Sequence, residues 1–338
     1  MNIEDEAQLV RYLLDLGHLE PDEIPKVRIL AGGVSNKTVL VQRNADPDLV
    51  IKQALAKLRV KEDWFSDPSR IHREAEGIRL LEKVAPAGMV PPLIFEDESH
   101  HVLGMAAVPE PHVNWKQDLL KGHVDKTVVG QFAKCLGAIH STFDVDQYPD
   151  DGIIQGLDFF ESLRLEPYYL FTGTQVPEAS DFLHQLVAQT RTIKVALVHG
   201  DYSPKNVLVK DGNMVLLDHE VIHLGDPAFD VGFSMTHLLS KAHHLPDFRR
   251  DFREAALLYW GEYNACISQT SWYQYFEQRA VKHTLGCLMA RVTGRSPLEY
   301  LSKNAREKQL NVVKGLMQHP PASMPELIDE LLAQFDAS

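Results

Sequence analysis

Val195-Ala196-Leu197-Val198-His199-Gly200-Asp201-Tyr202-Ser203-Pro204-Lys205-Asn206-Val207-Leu208-Val209 is followed by Lys210-Asp211-Gly212-Asn213 and then by Met214-Val215-Leu216-Leu217-Asp218-His219-Glu220. Asp-Gly between two short apolar runs is a strong hairpin signal. Asp201 and Asn206 therefore fall on a loop entering the hairpin, and Asp218 at its exit. A hairpin brings its ends together, so three oxygen-bearing side chains are expected to converge on one small volume.

Oxygen donors of this kind suit Mg²⁺, which takes one or two ligands from protein and leaves the rest to phosphates and water. Asn206 and Asp218 fit that role, and Asp201, five residues before Asn206, would face an attacking hydroxyl. Glu220 lies two residues after Asp218 on the same strand face, as a second metal ligand or a substrate contact. Protein kinases space an Asp and an Asn in the same way and carry a further metal-binding Asp on the next strand. In this chain His199-Gly200-Asp201 replaces His-Arg-Asp, Asp218-His219-Glu220 stands where Asp-Phe-Gly would, and no Ala-Pro-Glu follows.

The set His199 to Asn206, Leu216 to Glu220 and Gly225-Asp226-Pro227-Ala228-Phe229-Asp230-Val231-Gly232 resembles the catalytic signature of the aminoglycoside phosphotransferase and choline kinase group of small-molecule kinases. That resemblance implies an α+β, two-lobed, protein-kinase-like fold: an N-terminal antiparallel sheet lobe with one key helix, then a larger, mainly helical lobe. It implies ATP and Mg²⁺ as cofactors and a small molecule bearing a hydroxyl as acceptor, of aminoglycoside, sugar or amino-alcohol type. Residues 50 to 122, with Arg59, Glu62, Trp64 and the run Asn114 to Gly122, also look like the methylthioribose kinase branch. The catalytic loop departs from that branch, which has Gly-Ser where this chain has Lys205-Asn206. Protein kinase activity and a non-catalytic nucleotide-binding scaffold are the alternatives.

A chain of 338 residues is long for one hydrophobic core, which also favours two lobes. The expected division is residues 1–105 for a nucleotide-binding lobe, 106–111 for a hinge and 112–338 for the catalytic and substrate-binding lobe. A formal charge of −13 argues against a nucleic-acid partner and tilts mildly toward cationic substrates. No apolar run is long enough to span a bilayer, and the acidic start is unlike a secretion signal, so a cytoplasmic enzyme is expected. Cys135, Cys266 and Cys287 are odd in number and scattered, which suits neither disulfides nor zinc. The sequence does not fix an oligomeric state.

Strands are expected at Val27–Leu30, Thr38–Val41, Leu49–Ala54, Leu93–Glu96 and His101–Met105, a sheet of about five. The turn between the first two contains Gly32-Gly33, with Ser35 and Asn36 after it. Adjacent glycines let backbone amides approach a phosphate, and those two side chains add donors. Lys52 sits in an apolar strand at the place of the kinase phosphate-binding lysine. Its partner is sought on the next helix, where Asp67 and Pro68 suit the start and Ile71, Ala75, Ile78 and Leu81 form the stripe. Glu74 lies on that stripe, and a buried Glu is costly unless paired. By analogy with the family, the linker backbone near Ala107 would pair with the adenine edge and Met105 would line its pocket.

The chain is expected to turn helical from Asp125 to His140, with Val128, Phe132, Leu136 and Ile139 as one stripe, and further helices are expected at 156–164, 178–193, 229–245, 248–267, 272–292 and 325–335. His140 reads as a satisfied core residue. Asp226 reads as a turn former and Asp230 as the N-cap of the next helix. Residues 145–180 and 233–310 are expected to line the acceptor pocket, with Asp158, Glu161, Glu262 and Tyr263 as candidate contacts.

Overall fold

A computed structural model describes residues 1–30, 35–44, 47–59, 65–149 and 152–337. Gly32 and Gly33, expected to approach a phosphate, lie outside the described residues. The strands β1 (Lys26–Ile29), β2 (Asn36–Gln42), β3 (Leu49–Ala54), β4 (Leu93–Asp97) and β5 (Val102–Ala106) form one antiparallel sheet in the order β1-β2-β3-β5-β4. Successive strand residues point to opposite faces. Val39, Val41, Leu49 and Ile51 therefore pack on one side against Leu9 and Leu13 of helix α1 (Glu6–Asp15). Thr38, Leu40, Val50 and Lys52, of the other parity, line a cleft.

Helix α2 (Arg70–Val84) crosses beneath the sheet with Ile71, Glu74, Ala75, Ile78 and Leu81 buried. Its start differs from the expected cap. The N-cap is Ser69, with no side-chain bond, while Asp67 Oδ1 accepts the Ser69 N–H at 2.8 Å one turn earlier.

The remainder is mostly helical: α3 (Trp115–Leu119), α4 (Lys126–Thr142), α5 (Asp158–Phe160), α6 (Phe171–Gln175), α7 (Ser180–Thr192), α8 (Ala228–His244), α9 (Arg249–Ile267), α10 (Phe276–Thr293), α11 (Lys303–Gln318) and α12 (Met324–Asp336). Between α5 and α6, residues Glu161–Leu170 wind as a π-helix with Pro167 inside it. Helix α11 was not expected from the sequence. Its exposed residues outnumber Gln309, Val313, Leu316 and Met317, which are buried, so its apolar stripe is thin.

The expected hairpin is present. After β6 (Val113–Asn114) and β7 (Ala196–Val198), β8 (Val207–Lys210) and β9 (Asn213–Leu216) pair from Val207↔Leu216 to Lys210↔Asn213. Asp211 and Gly212 have φ of 50° and 76°, the paired left-handed geometry of a type I′ turn. A last strand, β10 (His223–Gly225), pairs antiparallel with β7. It fastens the segment after the hairpin to the strand that leads into the catalytic loop.

Candidate active site

The loop after β7 is held from below by a carboxylate. Asp230 is fully buried within α8, and its Oδ2 and Oδ1 accept the N–H groups of His199 and Gly200 at 2.7 and 2.8 Å. This corrects the N-cap reading of Asp230: the helix starts two residues earlier, and Pro227 at its N-cap makes no side-chain bond. Asp226 acts locally, as expected, accepting the Ala228 N–H, and also receives Arg279 Nε at 3.0 Å. His140 is a satisfied core histidine, against Tyr263 Oη at 2.7 Å and Asp230 at 3.2 Å.

Gly200 has φ of 76°, and a Cβ there would meet the Val221 carbonyl at 2.9 Å, so the turn into Asp201 requires glycine. The Asp201 N–H donates to His199 Nδ1 at 3.2 Å, which leaves His199 Nε2 to face His219 Nδ1 at 3.1 Å. Burial lowers the pKa of both histidines, so the pair that floors the site is neutral.

Each oxygen of the Asp201 carboxylate has one partner: Arg164 Nη2 at 2.7 Å from Oδ1, and Asn206 Nδ2 at 2.7 Å from Oδ2. Asn206 Nδ2 also reaches the Asp201 carbonyl at 3.0 Å. The amide nitrogen is thus occupied, leaving Asn206 Oδ1 as its remaining acceptor. The Leu217 N–H donates to the Asn206 carbonyl at 2.8 Å, which brings the two ends of the hairpin together. Next to it Asp218 takes φ of 69°, a left-handed conformation uncommon outside glycine.

Lys52 stands across the cleft, its Nζ 2.6 Å from Glu74 Oε1 and 2.9 Å from Asp218 Oδ1. Burial works against the ammonium, yet Asp218 and then Glu74 outweigh it and raise its pKa. Burial would also raise Asp218, but Lys52 and then Lys205 hold that carboxyl below the usual range. Glu74, Asp218 and Glu220 each bring an oxygen within 4.8 Å of the others. Glu220 Oε2 is engaged by Arg70 Nε and Asn36 Nδ2, both at 3.1 Å. Asp218 and Asn206 line one cavity, and an ionised carboxylate with an amide oxygen is a hard donor set that could hold Mg²⁺.

Two cavities meet here. One, of about 590 Å³, is lined by Ser35, Asn36, Lys52, Met105, Ala107, Asn206 and Asp218 among others. The Ala107 N–H donates to the Asp48 carbonyl at 2.7 Å, while the Ala107 carbonyl and the Val108 N–H are among the linker groups with no hydrogen bond to the described residues. The other cavity, of about 270 Å³, is walled by Arg164, Tyr168, Asp201, Phe233, His237 and Arg291. Both share Ser35, Lys116, Lys205, Asp218 and Glu299.

The second cavity draws on the two regions expected for the acceptor, but not on the four contacts named from sequence. Tyr263 is fully buried in the core, Asp158 is exposed outside the cavity, Glu161 pairs with Arg191 at 2.6 Å, and Glu262 with Lys134 at 3.2 Å. Arg164 and Asp230 are the residues that sequence reasoning missed. For Asp230 the available signal was a carboxylate inside the apolar run Ala228 to Phe233.

The model of the phosphotransferase enzyme family (APH) matches residues 26–266, and the chain belongs to that family. A methylthioribose kinase of Escherichia coli O45:K1 is 25% identical over 250 residues, covering 65% of this chain and 59% of that one. The chain thus spans less than two thirds of the length of the curated relatives it matches. Among solved structures, a streptomycin-ATP-APH(2")-IIa ternary complex superposes with a TM-score of 0.52 at 15% identity, covering 92% of this chain and 98% of the other. A choline/ethanolamine kinase family protein from Mesorhizobium loti gives 0.54 at 15%, covering 98% and 99%. At such identity these likenesses show the shared two-lobed fold.

Proposed function

We propose that this chain transfers the γ-phosphate of ATP to a hydroxyl of a small molecule. One observation carries the reading: Lys52, paired to both Glu74 and Asp218, borders one cavity, Asp201 borders the next, and Asp218 belongs to both. Nucleotide in the larger cavity and acceptor in the smaller would place the transferred group between Lys52 and Asp201. Such transfers depend on positioning and charge neutralisation. Met105 and Val50 would flank the base, Asn36 and Lys52 would contact phosphates, and Asp218 with Asn206 would hold Mg²⁺. That ion, when bound, would neutralise phosphate charge.

Asp201 would orient the acceptor hydroxyl and take its proton as the new O–P bond forms and the bond to the β-phosphate breaks. Arg164 and Asn206, one on each oxygen, would fix the carboxylate in place. In this scheme Glu220 ties Arg70 to Asn36. Within the reading, the acceptor is a sugar or another small alcohol. Similarity to methylthioribose kinases puts that compound in the first panel, beside aminoglycosides, choline and simple sugars.

The test is ADP release with Mg-ATP across that panel. Asp201→Ala should lower turnover by about 10²-fold or more while ATP affinity stays within about twofold. If the variant retains turnover, or loses ATP binding together with it, this division of roles is wrong.

A further inference from the structure

The smaller cavity has an unbalanced set of charges. Four carboxylates line it, and each already faces a protein cation: Asp201 with Arg164, Asp218 with Lys52, Glu220 with Arg70, and Glu299 with Lys116. Among the remaining lining cations Arg295 reaches Glu166 at 3.5 Å and Lys205 also borders the nucleotide cleft, which leaves Arg291 to this cavity alone. Its Nη1 donates to Tyr168 Oη at 3.3 Å, to the Ser296 hydroxyl at 2.9 Å and to the Ser296 carbonyl, and no carboxylate lies within ion-pair distance of it among the described residues. Its Nε is buried without an acceptor.

Beside it His237, only 4% exposed, lines the same cavity with both ring nitrogens unpartnered. One turn along α8, Lys241 is fully buried. Its Nζ has the His237 carbonyl at 3.2 Å and the Tyr300 ring at 5.5 Å, and no carboxylate within ion-pair distance among the described residues. Burial, with Lys116 and Arg291 adding to it, drives that lysine down to about 7. Unanswered positive charge and buried donors without acceptors are costly, and an anion would satisfy both at once. Arg291 and His237 border only the acceptor cavity and not the nucleotide cleft, so phosphates of a nucleotide in that cleft do not account for them.

We propose that the acceptor is a small hydroxyl-bearing anion, whose carboxylate or phosphate monoester sits against Arg291 and His237, with Lys241 behind them, and whose hydroxyl reaches Asp201. This rests on the phosphotransfer reading and names its substrate class. It also reverses the tilt toward cations suggested by the net charge of −13, because a local donor set governs recognition at contact distance while net charge acts on approach. The cavity volume of about 270 Å³ suits a compact acceptor.

The experiment titrates the full chain, with Mg²⁺ and a non-hydrolysable ATP analogue, at fixed ionic strength. Glycerate and tartrate form the carboxylate arm, glycerol phosphate the phosphate arm, glycerol and threitol the uncharged arm, and ethanolamine the cationic one. One anionic arm should bind at least about tenfold more tightly than its uncharged counterpart, the scale of a charge-assisted contact. Arg291→Gln should remove that margin and Arg291→Lys should keep part of it, with affinity for the ATP analogue unchanged in both. Uncharged or cationic probes binding as well as the anions, no anion binding at all, or an Arg291→Gln variant that keeps the margin would overturn the proposal. The same titrations without nucleotide separate the two readings: anion binding that persists while the analogue fails to bind counts against phosphotransfer alone.

Discussion

Lys52 touches Glu74 at 2.6 Å and Asp218 at 2.9 Å, while Glu220 completes a group of three carboxylates whose oxygens lie within 4.8 Å. Removing the cation leaves Glu74 and Asp218 without their shared partner in a largely buried setting, while Glu220 keeps Arg70. Lys52→Met should therefore destabilise the fold by about 3–5 kcal/mol, the cost of breaking a buried ion pair. Added Mg²⁺ should return part of that loss, and more than it stabilises the parent protein, because Glu74 and Asp218 without their lysine form a better cation site beside Glu220. Urea unfolding of both proteins with and without Mg²⁺ checks this; equal stability, or an equal response to Mg²⁺, would refute it. The pairing of Lys52 with Glu74 is readable in the sequence, because a charge in an apolar strand and another on an apolar helix stripe each demand a partner. Asp230 makes the same demand from within the apolar run Ala228 to Phe233 but does not say what answers it, and Arg164 makes none at short range. Arg164 meets Asp201 from 37 residues away, and Asp230 spends its oxygens on backbone amides, which no side-chain pattern advertises.

At the scale of elements, the hairpin of β8 and β9 is written locally, in Asp211-Gly212 and its apolar flanks, and the five strands of the sheet in short apolar runs between polar turns. The helical segment after Asp158 is not. Its expected end at 164 is overrun because Pro167, which lacks an N–H, is absorbed in a π-helical stretch that carries the chain on to Gln175. Helix packing is legible only in part. Gly232 belongs to the motif region, yet its structural role lies in the contact of α8 with α10. A Cβ at Gly232 would sit 2.6 Å from the backbone carbon of His283 and 2.7 Å from the Thr284 nitrogen. Neither atom moves without the whole helix. Gly232→Ala should thus cost about 1–3 kcal/mol by overpacking, despite the better helix propensity of alanine. Thermal unfolding decides it, and a melting temperature at or above that of the parent would show that the two helices separate freely.

The molecule as a whole keeps several imidazoles inside, among them His199, His219, His223 and His283, and this gives its stability a direction with pH. His223 and His283 are fully exposed to the packing forces of the core and hidden from water. His223 stacks on Phe160 at 4.1 Å, and His283 lies against Tyr169 Oη at 2.9 Å. Burial pushes each down to about 4, from about 6.5 for an imidazole in an unfolded chain. Between those two values the unfolded state binds protons that the folded state refuses, so stability falls as the pH falls through that window. Burial lowers His199, His219 and His237 as well, and they act in the same sense. Glu74, pushed upward by burial, acts in the opposite sense. The urea midpoint should therefore drop steadily from about pH 7 to about pH 4.5 with little change in m-value, whereas above about pH 7 these histidines contribute no slope. His223→Phe removes one titrating ring but keeps an aromatic face toward Phe160. It should lower stability at neutral pH, where the bond to the Val221 carbonyl is lost, and flatten the decline on acidification. A midpoint that stays level across the window, or a variant that declines as steeply as the parent, would mean that these buried imidazoles gain protons without unfolding the core that encloses them.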